Sequence, residues 1–368
     1  MIRLAKPHIP LAAIEAVVEV LKSGDLVQGK YVREFEQKLV EYLDIENAVV
    51  VSSGTAALHL SLIALGIGQG DEVVVPAFTF PATANVVELV GAKPVFVDIN
   101  LDDFCIDTKK IEEVITRRTK AIMPVHEFGQ AAKMDDIVQL AHKHNLRVVE
   151  DAACALGTEF NRQKVGTFGD FGCFSFHPRK AITTGEGGVV VTNSDRLAQK
   201  IRSGRNHGIS CLNSGLAFNN VGLNYRMTDF QAVLGLYQLE KIEELNRKRM
   251  VLARDYDENL AAVGWLKAPT TFDNRKAIYQ TYHLLVDKKI DRSNLINYLK
   301  QNSIETNFGA HAVNSLPYYR RKYTFEDEKF INALAAYKQG IALPIGDHLQ
   351  NDDSMRVVQK LRKYRSLN

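Results

Sequence analysis

The sequence predicts an α/β protein with a large, mainly parallel-sheet domain over residues 1–245 and a smaller C-terminal α/β domain over residues 246–368. Three observations lead there. Short β-branched runs alternate with segments of helical length from Ala48 to Thr192, the pattern of parallel strands covered on both faces. Long helical segments of mixed charge then run from Asp229 to Leu260. From about Pro269 the elements shorten, interrupted by Pro317, Pro344 and several glycines.

The elements follow in order. Ile14, Val17, Val18 and Leu21 recur at helical spacing within an N-terminal arm (residues 1–30), and Ser23-Gly24 closes that helix. AVVV (48–51) is the first strand, and a helix follows from about Thr55 to Leu65. EVVVPAF (72–78), PVFVDI (94–99) and AIMPV (121–125) are the next strands. A helix around Met134 to His144 leads into LRVVED (146–151), and GCFSF (172–176) and GGVVVT (187–192) complete the set.

Composition narrows the function classes. A chain of 368 residues buries a large core, and 46% hydrophobic with 24% charged residues is ordinary for a globular protein. A formal charge of +3 gives no argument for a nucleic-acid or membrane partner, and the basic runs Arg247–Arg249 and Arg320–Lys322 read as solvated helix faces. Cys105, Cys154, Cys173 and Cys211 form no CxxC pair, which fits a reducing compartment and argues against structural zinc. The start of the chain lacks a signal-peptide pattern and no segment is an unbroken apolar span, so the expectation is a cytoplasmic protein.

Ligands of an open parallel sheet bind at the carboxyl ends of its strands, and four features fall at such ends. In SSGTAALHL, a strand runs through Gly54 and Thr55 into a helix whose first-turn N–H groups form an anion seat; alone, the same residues are an ordinary helix cap. In TFPATAN, Phe80 stands just past a strand end, where an aromatic can stack on a planar ligand or simply join the core. In VVEDAACALG, Glu150 and Asp151 end a buried strand, where a carboxylate needs a cationic partner, either Arg or Lys or a ligand. In FSFHPRKAITTGEGG, Ser175 offers a hydroxyl and Lys180 follows His177-Pro178, close to a glycine run that lets backbone pass near a pocket. Burial there is expected to lower the pKa of Lys180 and make its amine nucleophilic. Pyridoxal 5'-phosphate asks for all four features: a phosphate seat, a stacking ring, a carboxylate for the pyridinium nitrogen and a lysine for the aldehyde.

GTAALHL, TFPATAN, PVFVDI, PVHEFGQ, EDAACALG, GTFGDFGCFSFHPRK, GEGG and GLNYRM, taken in order, resemble the motifs of the DegT/StrS family of sugar aminotransferases. The resemblance runs from about Leu4 to the end of the chain. It implies a fold-type I (aspartate aminotransferase-like) pyridoxal-phosphate enzyme, a homodimer with active sites at the subunit interface. By position, Lys180 would be the Schiff-base lysine and Asp151 the partner of the pyridinium nitrogen. Phe80 would stack on the ring, and Gly54, Thr55 and Ser175 would contact the phosphate. Asn224 would reach the phosphate of the neighbouring subunit's cofactor. His177, Arg226 and His311, with Asn307 and Tyr318, are candidates to hold the substrate. One departure shows: many relatives carry Gln or His where this chain has Cys154, a thiol that donates hydrogen bonds poorly.

The resemblance implies transfer of an amino group from an amino acid, glutamate by expectation, to a nucleotide-linked 4-keto-6-deoxy sugar for polysaccharide or glycoconjugate biosynthesis. The run ITTGEGG resembles members that aminate the 4-position; a 3-keto-sugar aminotransferase is the alternative. Relatives that dehydrate a sugar place His where Lys180 stands, so the lysine disfavours that route. A non-catalytic regulator on the same fold would be expected to lack Lys180 or Asp151, and both are present. A nucleotide-binding dehydrogenase would be expected to carry GxGxxG between a strand and a helix, which the sequence lacks.

Overall fold

A computed structural model describes residues 1–212, 215–350 and 352–364, with the side chains of Cys211 and Leu212 outside the described set. Among these residues a seven-stranded sheet forms the centre. Its strands are β1 (Asn47–Val51), β2 (Glu72–Pro76), β3 (Lys93–Val97), β4 (Thr119–Ile122), β5 (Arg147–Asp151), β6 (Phe171–Ser175) and β7 (Gly188–Thr192). Their spatial order is β1-β7-β6-β5-β4-β2-β3. The neighbours from β6 through β3 pair in parallel, as the β-branched runs predict. β7 departs from the expectation of parallel strands: it lies antiparallel between β1 and β6. The link from Ser175 to Gly188 folds back on itself, with the Phe176 amide donating to the Gly187 carbonyl at 2.8 Å, so it forms a return loop rather than a crossover helix.

This topology places the carboxyl ends of β1, β2, β4, β5 and β6 on one edge of the sheet, together with the start of β7. Helices α1 (Leu11–Ser23), α2 (Lys30–Leu43), α3 (Gly54–Leu65), α4 (Ala82–Leu89), α5 (Met134–His144), α6 (Asp195–Gly204) and α7 (Asp229–Leu239) surround the sheet. Two apolar clusters cover its faces: one includes Phe35, Val50, Val148 and Phe174, the other Val49, Val75, Val149 and Phe171. Alternate residues of one strand thus enter opposite cores, as the two-residue period of a strand requires.

The buried Glu36 of α2 holds β1 in place. It accepts from the Val50 amide (3.0 Å) and from the guanidinium groups of Arg205 (2.6 Å) and Arg202 (2.9 Å), tying α2, the strand and α6 together. α8 (Ile242–Leu260) links the two halves. Its Ile242 and Leu245 pack with the first cluster, and its Ala253, Tyr256 and Leu260 with a third. That third cluster is built on strands β8 (Leu266–Lys267), β9 (Tyr282–Val286) and β10 (Gly340–Leu343), with α9 (Arg292–Gln301) and α11 (Asp353–Tyr364). Ile2, from the expected N-terminal arm, packs in this third cluster and donates its amide to Ser303. α10 (Ile331–Gln339) instead contributes Ala333 and Ala336 to the second of the two clusters. Among the described residues no helix is long and apolar enough to cross a membrane.

Candidate active site

At the carboxyl edge of the sheet lies a cavity of about 370 Å³, lined by Ser53, Gly54, Thr55, Phe80, Glu127, Asp151, Cys154, Ser175, His177 and Lys180 among others. Each side chain arrives for a local reason. α3 starts where Ser53 caps it, its hydroxyl accepting from the Ala56 amide at 3.0 Å. The Gly54 and Thr55 amides precede the first intrahelical bond and remain available to an anion. Gly54 is required by space: a Cβ there would meet Ser175 Cβ at 2.8 Å. Gly188 has the same explanation, since its Cβ would stand 2.6 Å from the Ser53 carbonyl oxygen. The glycine run after Lys180 therefore lets β7 close against the anion seat.

Lys180 is carried on a pinned loop. The Thr183 amide donates to Gln238 (3.0 Å), Gln238 donates to the Thr183 carbonyl (2.7 Å), and Gln280 donates to the Arg179 carbonyl (2.7 Å). The Lys180 amine lies 2.9 Å from Cys154 Sγ. Burial pushes this amine down, but the Cys154 sulfur, Asp151 and Glu127 push it up further, so it stands above the ordinary lysine value. This corrects the lowered pKa expected from burial alone: negative neighbours outweigh desolvation when no other cation is present.

Asp151, buried at the end of β5, accepts from the Thr83 hydroxyl at 2.8 Å and from the Ala153 amide at 3.2 Å. Burial raises its pKa, with Thr83 and Ala153 opposing. Among the described residues it forms no ion pair with an arginine or lysine, and Lys180 acts on it at longer range. Glu150 faces the other side of the sheet. It accepts from the Gly166, Phe168 and Gly169 amides at 2.7–2.8 Å, with His126 Nε2 at 3.0 Å. The two adjacent carboxylates thus differ in kind: Glu150 is satisfied by backbone amides, whereas Asp151 presents its charge to the cleft.

The other sequence-predicted residues divide. Phe80, a residue 67% exposed, lines the cleft with its ring edge against His311, the centroids 6.4 Å apart. His177 lines the cleft, its Nδ1 accepting from the Arg179 amide at 3.2 Å, and burial lowers its pKa. His311 stands at the rim beside the lining residues Gly309 and Ala310, packed on Phe308 and Tyr337. Asn307 turns inward to its own chain, accepting from the Gly309 amide at 2.9 Å. Arg226 donates to Asn206 at 2.6 Å, Asn224 is exposed, and Tyr318 lies against Glu88; none of the three lines this cleft. The sequence reading missed Glu127 and Thr83, although the quoted runs PVHEFGQ and TFPATAN contain them. A carboxylate right after an apolar strand was the available signal.

The residues present suit pyridoxal phosphate. Free helix-start amides and the Ser175 hydroxyl suit its phosphate, an unpaired buried carboxylate suits its pyridinium, and an amine in the same cavity suits its aldehyde. Fold and site together define the class: a pyridoxal-phosphate enzyme of fold type I. The family model described as the DegT/DnrJ/EryC1/StrS aminotransferase family matches residues 8–362, and the chain belongs to that family. It is a pyridoxal-phosphate-dependent aminotransferase. GDP-perosamine synthase of Caulobacter vibrioides is 40% identical over 336 residues, covering 90% of each chain. Two solved structures superpose closely. PseC of Helicobacter pylori, an aminotransferase of pseudoaminic acid biosynthesis, has a TM-score of 0.94 at 30% identity and covers 99% of both chains. The pyridoxal-phosphate form of the putative sugar aminotransferase Spr1654 of Streptococcus pneumoniae gives 0.93 at 28% identity, with 98% of both covered.

Proposed function

We propose that this protein transfers an amino group from glutamate to the 4-keto group of a nucleotide-linked 6-deoxy sugar, as a cytoplasmic homodimer. The observation that carries the reading is the cleft that gathers Lys180, Asp151 and the α3 anion seat at one sheet edge. The named activities of the relatives, GDP-perosamine synthase among them, support a nucleotide-sugar substrate. The run ITTGEGG supports the 4-position.

Gly54, Thr55 and Ser175 would hold the cofactor's phosphate, Phe80 would cover its ring, and Asp151 would keep the ring nitrogen protonated. When bound, the cofactor supplies the electron sink for a carbanion at the donor's Cα. Lys180 would hold the cofactor through its aldehyde, and its amine, when free, would take the proton from the donor's Cα. Pairing Asp151 with a cation would remove one of the charges that hold the Lys180 amine up, so more of this amine would stand unprotonated and free to accept a proton. His177, Arg226 and His311 are assigned to the substrate. The dimer reading draws on exposed apolar side chains: Leu11, Ile14, Val18 and Leu21 on α1, and Leu216, Phe218 and Val221 near the hairpin that precedes Asn224. Asn224, exposed and outside its own cleft, is assigned to the neighbouring subunit's site.

The test is to incubate the cofactor-loaded protein with glutamate and a panel of 4-keto and 3-keto sugar nucleotides, following amino-sugar formation by mass spectrometry. Lys180→Ala should lose both the visible absorbance of the bound cofactor and all turnover. An unchanged rate in that variant refutes the mechanism. Amination of 3-keto substrates alone refutes the 4-position.

A further inference from the structure

Lys180 has a cationic neighbour that the chemistry above does not use. The segment His177-Pro178-Arg179-Lys180 is a reverse turn, closed by the Lys180 amide donating to the His177 carbonyl at 2.8 Å. Pro178 suits the second place of such a turn because its ring presets φ there. Arg179, in the third place, is tied down through its backbone alone. Its amide donates to His177 Nδ1 at 3.2 Å, and its carbonyl accepts from Gln280 at 2.7 Å. Arg179 is exposed and lines the cleft, and among the described residues its guanidinium makes no hydrogen bond or ion pair.

The charges of the cleft single this residue out. Among the described residues of its lining, Lys180 and Arg179 carry the full positive charges. His177 is neutral at neutral pH: burial lowers its pKa, with Glu186 opposing and Lys180 and Arg179 adding to the fall. Its Nδ1 accepts from the Arg179 amide, so its proton sits on Nε2. With Lys180 committed to the cofactor's aldehyde, Arg179 is the full positive charge left in that lining. A guanidinium holds carboxylate or phosphate oxygens through two parallel N–H bonds. Consecutive Cα atoms stand about 3.8 Å apart, so one small molecule can meet Lys180 and Arg179 together.

We propose that Arg179 binds the anionic group that a substrate carries away from its reacting carbon, and so restricts this cleft to anionic substrates. The inference rests on the amino-transfer reading above, which supplies two such anions. The side-chain carboxylate of glutamate lies three bonds from the Cα that loses its proton. The first phosphorus of a nucleotide-linked 4-keto sugar lies five bonds from the carbonyl carbon. The recognition is the same for both: oxygens of a carboxylate or a phosphate paired with one guanidinium. The rigid turn fixes where that guanidinium is rooted relative to the Lys180 amine, so the anion sets which carbon reaches the amine.

Two measurements on the cofactor-loaded protein test this, each comparing wild type with Arg179→Gln and Arg179→Lys. In the first, the protein is mixed with glutamate or with alanine alone, and loss of the cofactor's visible band gives the half-saturating concentration of each donor. In the second, calorimetry gives the affinity for guanosine and uridine diphosphates and for the parent nucleosides. Arg179→Gln should lower the preference for glutamate over alanine, or for diphosphate over nucleoside, at least about tenfold, the range of one charged hydrogen-bonded contact. Arg179→Lys should recover part of it. Because residue 179 holds the turn through backbone atoms, the visible band of bound cofactor should persist in both variants and reports an intact turn. A fall in the first preference identifies the donor's carboxylate as the anion, and a fall in the second the diphosphate. If both preferences survive Arg179→Gln while the wild type reacts, the proposal is overturned and amino transfer stands. A wild type that reacts with neither donor nor any sugar nucleotide overturns the amino-transfer reading, and this proposal with it.

Discussion

Glu127→Gln in the cofactor-free protein makes the buried proton measurable as stability. The Glu127 carboxyl is pushed from its ordinary value of 4.5 up to about 8 in the folded chain, first by burial and then by Asp151. Between those values the folded chain holds a proton on Glu127 that the unfolded chain has released. Linkage then makes unfolding easier as pH rises, at about 1.4 kcal/mol per pH unit. The stabilisation is fully present below the unfolded value and is lost progressively up to the folded one. From about pH 5.5 to pH 7.5 the wild type should lose about 2–3 kcal/mol relative to Glu127→Gln, whose amide does not titrate. The assay is urea denaturation of both proteins at a series of pH values and one protein concentration, with the difference in unfolding free energy plotted against pH. Parallel curves would refute the reasoning, because they would mean Glu127 is ionised in the fold or exposed to water.

Further expectations follow from single contacts. Gly54→Ala drives a Cβ to 2.8 Å from Ser175 Cβ at the anion seat, so cofactor affinity should fall at least about tenfold, or ~1.4 kcal/mol, in an absorbance titration. Glu36→Ala strands the buried Arg205 guanidinium without a carboxylate, and denaturation should show a loss of about 3–5 kcal/mol. Asp151→Asn removes the charge opposite the ring nitrogen and should lower kcat by about 10²-fold or more, with the Tm little changed, since the Thr83 and Ala153 contacts survive in part.

Much of this protein can be read along the chain. Runs such as EVVVP and RVVED announce strands because β-branched residues pack on a doubly covered sheet, and Ser53-Gly54 announces an anion seat because a capped helix start leaves amides free. The order of motifs carries the family, and with it Lys180 and Asp151. These are local signals, set by dihedral preferences and by neighbours within a few residues. Three-dimensional folding settled what lies between distant segments. β7 runs against its neighbours because the loop bearing Lys180 returns on itself. Glu150 and Asp151, adjacent in sequence, face backbone amides on one side of the sheet and an open cleft on the other. Lys180 is held up rather than down because Asp151 and Cys154, at the end of β5, and Glu127, on the turn Glu127–Gly129, converge on it from separate stretches of the chain. Hydrogen bonding and Coulomb forces act over a few ångströms of space regardless of chain separation, so the meeting of Asp151, Glu127 and Lys180 in one cleft emerges only once the strand ends are brought together.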